Sequence, residues 1–302
     1  MSLPVIIDTD PGIDDCLAIL LALASPEVDV RALTIVYGNT TLANATRNAR
    51  EIARRARSDV AIHPGADRPL ERPLEIAAET HGESGLGYAA VPAATRVTPN
   101  PLALLEALEH ERRPVTLVSL GPLTNLALAL RHDAALVRDR LAAHVAMAGN
   151  LRTAGNTTRY SEFNVWCDPE AAAEVHAAGL GTAWVGLDVT RRVVLDAHEV
   201  EALGSGEPEE HRSWLRDALR FYVDFHRHRE GLDGCVVNDP LLIAGLIRPG
   251  IIRYADVPMR VRLADDDERG RTAMDATGPA ARCAVDVDAA AALDLLRERV
   301  FS

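Results

Sequence analysis

Two kinds of apolar pattern alternate along most of this chain. Short continuous apolar runs are typical of strands buried on both faces, whereas apolar residues three and four apart are typical of amphipathic helices. The first pattern predicts strands at Val5–Asp8, Val30–Tyr37, Val60–His63, Val115–Leu120, His144–Met147, Trp184–Asp188 and Ile251–Leu263. The second predicts helices at Asp14–Ala24, Leu42–Arg57, Pro101–Glu111, Pro122–Arg131, Pro169–Ala178, Glu209–Arg229, Pro240–Ile247 and Asp288–Arg299. This alternation predicts an α/β fold with a mainly parallel central sheet and helices on both faces.

The end of the chain departs from this alternation. Arg260–Leu263 and Ala280–Val287 are strand-like and are separated by the polar stretch Asp265–Arg271. They predict a late antiparallel hairpin at one edge of the sheet. No linker-like segment divides the sequence, so residues 1–302 are predicted to form a single domain.

Four carboxylates lie where the first predicted strand meets the first predicted helix: Asp8, Asp10, Asp14 and Asp15. In open α/β sheets, ligands bind at this edge of the strands. Helix capping explains one or two acids at such a turn, but not four together. So many negative charges are costly unless a cation joins them, and a hard divalent cation prefers oxygen ligands. The sequence therefore predicts a metal or catalytic site here.

Later strands also end in polar residues, at Gly38–Thr40, Leu120–Asn125 and Gly149–Asn150. Because the carboxyl ends of parallel strands share one edge of the sheet, these ends predict a pocket. Two long polar loops, Pro64–Pro101 and Asn150–Glu162, connect the elements around it. A loop of such length is usually functional or mobile, and we expect the first loop and the helix Glu209–Arg229 to close over a ligand.

Four further polar residues follow the second loop or precede a helix. Glu162 and Asn164 are two apart on a segment predicted to be extended, so their side chains are expected to face the same side. Asp168 and Asp239 each precede a proline and are interpreted as helix caps.

Composition excludes several classes of partner. Lys and Arg number 32 and Asp and Glu number 44, so the net charge is −12, and aromatic residues make up only 4%. Nucleic acid and anionic membrane are therefore not expected as partners, whereas a neutral small molecule suits this field. The four cysteines form no CxxC pair, and no signal peptide or membrane-spanning run is present in the sequence, so a cytoplasmic setting is expected.

Taken together, the motifs resemble those of the nucleoside hydrolase family, which includes inosine–uridine-preferring and pyrimidine-specific enzymes. The resemblance begins with the acidic signature at residues 8–15 and continues in the family's order over nearly the whole chain, through Gly38-Asn39-Thr40, His81–Leu86, Gly121–Asn125 and Glu162-Phe163-Asn164. It implies an open, Rossmann-like nucleoside hydrolase fold. It also implies hydrolysis of the N-glycosidic bond of ribonucleosides to ribose and free base, in purine or pyrimidine salvage.

The same resemblance implies one Ca²⁺ ion per chain. Its ligands would be Asp10, Asp15, the backbone carbonyl of Leu120, and Asp239. Asp10 would also act as general base on a water bound to the metal. An oxygen-rich shell of this kind suits calcium.

Further residues are assigned to the nucleoside by the same resemblance. The ribose hydroxyls would be held by Asp14, Asn39 and Asn164, and the 5′ end by Asn156 and Glu162, with Met147 lining the pocket. The resemblance also suggests a homo-dimer or homo-tetramer.

One position departs from the family pattern. Many inosine–uridine-type members have a histidine before the last calcium ligand, assigned to activating the leaving base, and here that residue is Asn238. An asparagine donates a hydrogen bond but does not deliver a proton at neutral pH. The proton could instead come from Tyr222, His226 or His228 on the long helix, or from His81.

Other functional hypotheses follow from Asn238 and from the acidic motif. The substrate could need little help with its leaving group, or the protein could be a weakly active or purely riboside-binding homologue. Without the resemblance, Asp8-Thr9-Asp10 after a first strand also fits a metal-dependent phosphohydrolase. The charge of −12 and the lack of an obvious Lys/Arg phosphate clamp count against that last function.

Overall fold

A computed structural model of the chain describes residues 2–203 and 209–302. The strands are β1 (Leu3–Thr9), β2 (Val28–Ile35), β3 (Ala61–Pro64), β4 (Val115–Ser119), β5 (Leu141–Met147), β6 (Ala183–Val185), β7 (Val194–Asp196), β8 (Gly234–Val236), β9 (Ile252–Val261), β10 (Thr272–Met274) and β11 (Ala280–Val287).

The described helices are α1 (Ile13–Leu23), α2 (Leu42–Arg55), α3 (Ala78–His81), α4 (Ala103–His110), α5 (Thr124–Arg140), α6 (Phe163–Cys167), α7 (Pro169–Ala177), α8 (Leu187–Thr190), α9 (Ala197–Ala202), α10 (Glu209–Glu230), α11 (Pro240–Ile247) and α12 (Ala289–Arg299). They alternate with the strands, as the sequence predicts.

A nine-stranded sheet has the order β10-β9-β11-β6-β5-β4-β1-β2-β3. From β3 to β11 all neighbours are parallel, and β9 and β10 then add antiparallel pairs at one edge. The prediction of a mainly parallel sheet with a late antiparallel hairpin is confirmed. The hairpin partners of β11 are residues 252–258 of β9, so the antiparallel pairing starts earlier in the chain than predicted.

Both faces of the sheet are covered, because residues along β1 alternate between two apolar layers. Val5 and Ile7 pack into one layer with α1, α11 and α12, while Ile6 packs into the other with residues of α4, α5 and α7. All three side chains are fully buried. The strand is therefore apolar on both sides, as expected for the middle of a parallel sheet.

Three local features of the structure differ from the sequence prediction. The strand predicted at Trp184–Asp188 ends at Val185, because Gly186 turns the chain and the N–H of Leu187 bonds the carbonyl of Gly149 at 2.9 Å, where α8 begins. The helix predicted to end at Arg131 is followed, after a kink at the non-helical residue Asp133, by a second helical segment to Arg140 that the sequence did not predict, and the two together form α5. A two-stranded sheet, β7–β8, was not predicted, because strands of three residues are too short to show a period.

All four cysteines are buried and free. Among the described residues, no helix combines the length and the apolarity needed to cross a bilayer.

Asp168 links three elements and is predicted to be a major determinant of stability. Its fully buried carboxylate caps α7 at the N–H of Ala171 (3.0 Å) and accepts hydrogen bonds from the Leu70 N–H (3.0 Å) and the Thr124 hydroxyl (2.7 Å). Asp168→Ala should lower the free energy of unfolding by about 3 kcal/mol, because three donors, two of them buried, lose their acceptor.

The matched control for that substitution is Asp288→Ala, which removes an exposed cap with one bond to the Ala291 N–H. It should cost about 1 kcal/mol in urea-induced unfolding. Equal losses for the two variants would show that Asp168 is an ordinary cap.

Candidate functional site

A polar cavity of about 490 Å³ opens at the carboxyl ends of the central strands. Leu120 follows β4 and Met147 ends β5, and both line it. The cavity is closed on another side by α10 and by the loop that carries α3. Twelve of the predicted site residues line this cavity: Asp14, Asn39, His81, Leu120, Met147, Asn156, Glu162, Asn164, Tyr222, His226, Asn238 and Asp239.

The acidic cluster forms one floor of the cavity. Carboxylate oxygens of Asp14, Asp15 and Asp239 all lie within 4.8 Å of one another, and all three residues are buried. Asp14 and Asp15 are placed by the first turn of α1, whereas Asp239 arrives from the start of α11. Residues more than 220 positions apart are thereby brought to one point.

Asp15 is fixed in this cluster by donors on every side. Its Oδ1 accepts from the Thr9 hydroxyl at 2.5 Å, and its Oδ2 accepts from the Gly12 N–H at 3.0 Å and the Asn39 amide at 2.7 Å. These bonds orient the carboxylate without neutralising its charge.

Asp10 lies beneath the cavity wall rather than on it, and its two oxygens differ. Oδ2 accepts from the Asn39 N–H at 2.6 Å, whereas Oδ1 is buried without a partner. A Cβ at Gly38 would lie 2.1 Å from Oδ2, and one at Gly121 would lie 2.5 Å from Oδ1. Gly38 and Gly121 are therefore required at these positions, because a side chain at either one would collide with the Asp10 carboxylate.

Burial raises the pKa of every carboxylate in the cluster. The shift is large for Asp10, where the nearby charge of Asp15 adds to burial, and for Asp239, where the charge of Asp14 adds to it. Burial likewise raises the pKa of Asp14 and Asp15. Ionised together, these groups repel one another, so a cation is needed to keep them charged at neutral pH.

The donor set fits a hard divalent ion. The side-chain groups are carboxylates, and an oxygen of Asp10 has no hydrogen-bond partner. Leu120 lines the same cavity, and its carbonyl oxygen accepts from the Asn164 amide at 2.6 Å. Calcium takes ligands of this kind.

Asp8 lies behind the cluster and is held by the protein itself. Its Oδ1 accepts from Thr34 (2.6 Å) and Asn125 (2.7 Å), and burial raises its pKa to about 6. Those partners stabilise the orientation of the turn after β1.

Two amides are held rigidly on the cavity wall. Asn39 bridges Asp10 and Asp15, and Asn164 donates to the carbonyl oxygens of Leu120 (2.6 Å) and Met147 (3.0 Å). Side chains with fixed partners can orient a polar ligand at a small entropic cost.

Glu162 corrects the prediction of an extended segment. It is the N-cap of α6, and its carboxylate accepts from the N–H groups of Asn164 (2.8 Å), Val165 (3.1 Å) and Gly149 (3.0 Å). Because Glu162 caps the residues that follow it, this segment is helical, and Asn164 lies inside α6 rather than on an extended segment. Both side chains still reach the cavity, and burial raises the pKa of Glu162 to about 7.

Three aromatic side chains form a wall of the cavity beside Asp14. The ring of Tyr222 lies 5.3 Å from that of His81 and 4.6 Å from that of His226, and its hydroxyl is 3.4 Å from Asp14 Oδ2. All three residues are buried, and Tyr222 and His226 share a helix face, as their spacing predicts. His228 is exposed, and the structure does not bring it to the cavity.

Hydrogen bonds assign the proton on each imidazole. His81 Nδ1 accepts from the Ile13 N–H at 3.2 Å, so a neutral His81 carries its proton on Nε2. His226 Nδ1 lies 2.8 Å from the Tyr222 carbonyl oxygen, which can only accept, so Nδ1 holds the proton and Nε2 is an acceptor. Burial lowers the pKa of His81 to about 4 and lowers that of His226, so both rings are neutral at pH 7.

The side chains of Asn238 and Asp239 belong to the cavity and do not cap α11. Asn238 donates to Asp14 Oδ2 at 3.1 Å, and its own Oδ1 is buried without a partner. The interpretation of Asp239 as a helix cap is wrong: its side chain makes no capping bond, because it belongs to the acidic cluster.

Several cavity residues carried no recognisable sequence signal. Phe225, Arg229 and Glu230 come from α10, and Arg191 follows α8. Helical spacing from Tyr222 would have placed Phe225 near the same face. Nothing in the sequence pattern indicated Arg191, which reaches the cavity through the packing of α8 against the sheet.

Comparison with known proteins identifies relatives along the full length. A family model described as inosine-uridine preferring nucleoside hydrolase matches residues 5–294. The pyrimidine-specific ribonucleoside hydrolase RihA of Escherichia coli is 37% identical over 99% of this chain and 99% of its own length. RihA of Salmonella gallinarum matches equally well, at 37% identity over the same shares.

Solved structures give the same result. A plant nucleoside hydrolase superposes with a TM-score of 0.91 at 32% identity and full coverage of both chains. A purine-preferring ribonucleoside hydrolase from Gardnerella vaginalis has a TM-score of 0.88 at 27% identity, covering 99% of this chain and 98% of its own.

The acidic cluster predicts that Ca²⁺ stabilises the chelated protein. At about 100-fold above its dissociation constant, a bound ion adds about 2.7 kcal/mol, a rise of a few degrees in Tm. Burial raises the carboxylate pKa values, so protons compete with the ion, and the rise in Tm should grow with pH.

Matched variants locate this effect. Asp15→Asn should abolish the Ca²⁺-induced rise in Tm, whereas Asp8→Asn, at the neighbouring buried acid bonded to Thr34 and Asn125, should retain it. A protein whose Tm responds equally in both variants would have its ion elsewhere.

Proposed function

The chain belongs to the inosine-uridine preferring nucleoside hydrolase family and is an N-glycosyl hydrolase, and from this we propose that it hydrolyses ribonucleosides to ribose and free base. We propose pyrimidine ribonucleosides as its first substrates, because relatives 37% identical over 99% of the chain are named pyrimidine-specific. The observation that carries the proposal is the buried carboxylate cluster at the floor of a polar cavity.

The family depends on a metal, and the proposed ion is Ca²⁺. Asp10, Asp15, Asp239 and the Leu120 carbonyl would hold it. The bound ion would supply the positive charge that lowers the pKa of the attacking water. Two members of this set, Asp15 and Asp239, belong to the 4.8 Å carboxylate cluster with Asp14, and Asp10 has an unpartnered buried oxygen.

Asp10 is the proposed general base. The Asn39 N–H holds Oδ2 with one hydrogen bond, so the carboxylate cannot rotate freely, and a remaining lone pair of the carboxylate would take the proton from water. Burial and the charge of Asp15 raise the pKa of Asp10, so the cation would be needed to keep this carboxylate ionised and able to accept a proton.

The ribose would lie between the acids and the two fixed amides. Asp14, Asn39 and Asn164 would bind its hydroxyls, while Asn156 and Glu162 would bind the 5′ end and Met147 would pack against the ring. Cleavage passes through an oxocarbenium-like state, in which the sugar becomes positive. Nearby carboxylates stabilise that state more than the neutral substrate, which is the requirement for catalysis.

Help for the leaving base would come from His81, Tyr222 and His226. Neutral His81 offers an Nε2–H donor, and the Tyr222 hydroxyl, which donates to Asp14 Oδ2 at 3.4 Å, would turn from that carboxylate to donate to the base. A hydrogen bond from either group to the departing base would stabilise the negative charge that develops on it. His226 Nε2 would accept from an N–H of the base, and so orient it.

Asn238 would then act on the sugar rather than on the base. Its amide donates to Asp14, which limits the orientations open to that carboxylate. The family membership favours a hydrolase over a protein that only binds ribosides, and the phosphohydrolase hypothesis has no comparable support.

Asp10→Asn tests the general base. It removes the acceptor for the proton but keeps the shape, so kcat for uridine should fall by about 10²–10⁴-fold. Asp8→Asn, which alters a carboxylate two residues away outside the cavity, should retain most of the activity. Ribose release assays give both values, and an Asp10→Asn protein with unchanged kcat would refute the assignment.

A change of leaving group tests the aromatic wall. Substitutions His81→Ala and Tyr222→Phe should lower kcat on uridine, by up to about 10²–10⁴-fold, but should change little on p-nitrophenyl riboside, whose leaving group needs no proton. The control is His228→Ala, since His228 bonds the Asp224 carbonyl in the same i−4 manner but is exposed. Equal losses on both substrates would assign these residues to the sugar step or to folding.

A further inference from the structure

The loop Asn150–Glu162 has no regular secondary structure, yet a short helix outside it holds its first half. One carboxylate, Asp188 on α8, accepts hydrogen bonds from three successive backbone N–H groups of the loop: Leu151 at 2.6 Å, Arg152 at 2.8 Å and Thr153 at 3.3 Å. Bonds from N–H groups to an ionised carboxylate are stronger than those between neutral groups. The loop is therefore fixed from outside at this point.

Arg191, the residue that follows α8, provides a second attachment. Its guanidinium donates to the carbonyl oxygen of Gly155 at 3.1 Å. The two contacts bracket residues 151–155 and connect them to one rigid element. That element also contributes Leu187 to the wall of the cavity.

Asn156 is the residue that follows this bracket, and it is exposed at the rim of the cavity. Its Oδ1 accepts from the Phe163 N–H at 2.9 Å, which fixes the orientation of the amide. Its Nδ2 bonds no described residue and remains a free donor. The loop thus presents one donor beside Glu162, whose carboxylate is an acceptor.

We propose that Asp188, assisted by Arg191, is a positioning residue that fixes residues 151–156 so that Asn156 and Glu162 read the 5′-hydroxyl of the nucleoside. This inference rests on the proposed function. The hydroxyl would accept from Asn156 Nδ2 and donate to the carboxylate of Glu162. Asp188 itself would not touch the substrate.

The physical basis is preorganisation. An exposed loop without such contacts samples many conformations, and ordering it on binding costs affinity. Anchoring the loop before binding removes this entropic cost. Only substrate contacts made by residues of the loop benefit from it. The 2′- and 3′-hydroxyls would be bound by Asp14, Asn39 and Asn164, none of which lies on this loop, so they should not depend on Asp188.

The test compares kcat/KM for uridine, 5′-deoxyuridine and 2′-deoxyuridine in the Ca²⁺-loaded protein. In Asp188→Asn, one acceptor oxygen becomes a donor facing N–H groups. The preference of the wild type for uridine over 5′-deoxyuridine should shrink by about tenfold, since a displacement near 1 Å disrupts such contacts. The preference for uridine over 2′-deoxyuridine should be unchanged, which a general loss of structure would not produce.

Further variants keep the test decisive. The matched control is Asp133→Asn, because Asp133 is an exposed carboxylate bonded to the backbone N–H groups of Ala135 and Leu136, away from the cavity. Adding Asp188→Asn to Asn156→Ala should cause no further loss of 5′ preference, because both act through one contact. Should Asp188→Asn fail to fold, Arg191→Met removes the second attachment and should also reduce the preference.

Three results would overturn the inference. A wild type that cleaves uridine and 5′-deoxyuridine equally would show that no 5′-hydroxyl contact exists. Full 5′ preference in folded Asp188→Asn and Arg191→Met would show that the loop needs neither anchor. A wild type that cleaves no nucleoside would refute the proposed function, and this inference with it.

Discussion

The repulsion among carboxylates buried at the end of β1 is the constraint on which the rest of the site depends. Asp14, Asp15 and Asp239 lie within 4.8 Å of one another, and Asp10 beside them has an oxygen without a partner. Such a group is stable in its ionised form only with a cation. The close glycines, the bridging amide of Asn39 and the position at the sheet edge all serve to collect negative charge at one point.

The hydrogen bonds around this cluster connect the acids to the aromatic wall of the cavity. Asn39 joins Asp10 to Asp15, while Asp14 is bonded to both Asn238 and Tyr222. A change in the charge of Asp14 therefore reaches the aromatic wall directly. Asn238, before Asp239, thereby becomes a partner of Asp14, the acid proposed to bind the sugar.

Local patterns in the sequence predicted the features that depend on local physics. The strand periods gave the parallel sheet and its antiparallel edge, and the acids after β1 indicated the cluster. Features that depend on distant contacts could not be predicted in this way. The sequence predicts that Glu162 lies in an extended segment, because the N–H groups that it caps are not evident from the pattern. It predicts that Asp188 ends a strand, because the bonds of Asp188 to the loop Asn150–Glu162 are not evident either. Asp239 was likewise interpreted as a cap, because its partners are more than 220 positions away.

The most direct test of this account is ribose release from uridine by chelated protein titrated with Ca²⁺. The account predicts negligible hydrolysis in the chelator and a saturable return of activity with Ca²⁺, because the carboxylate cluster would then be neutralised and ordered. Undiminished hydrolysis in the presence of the chelator, with the ion removed, would contradict the central claim that the cluster acts through a bound cation.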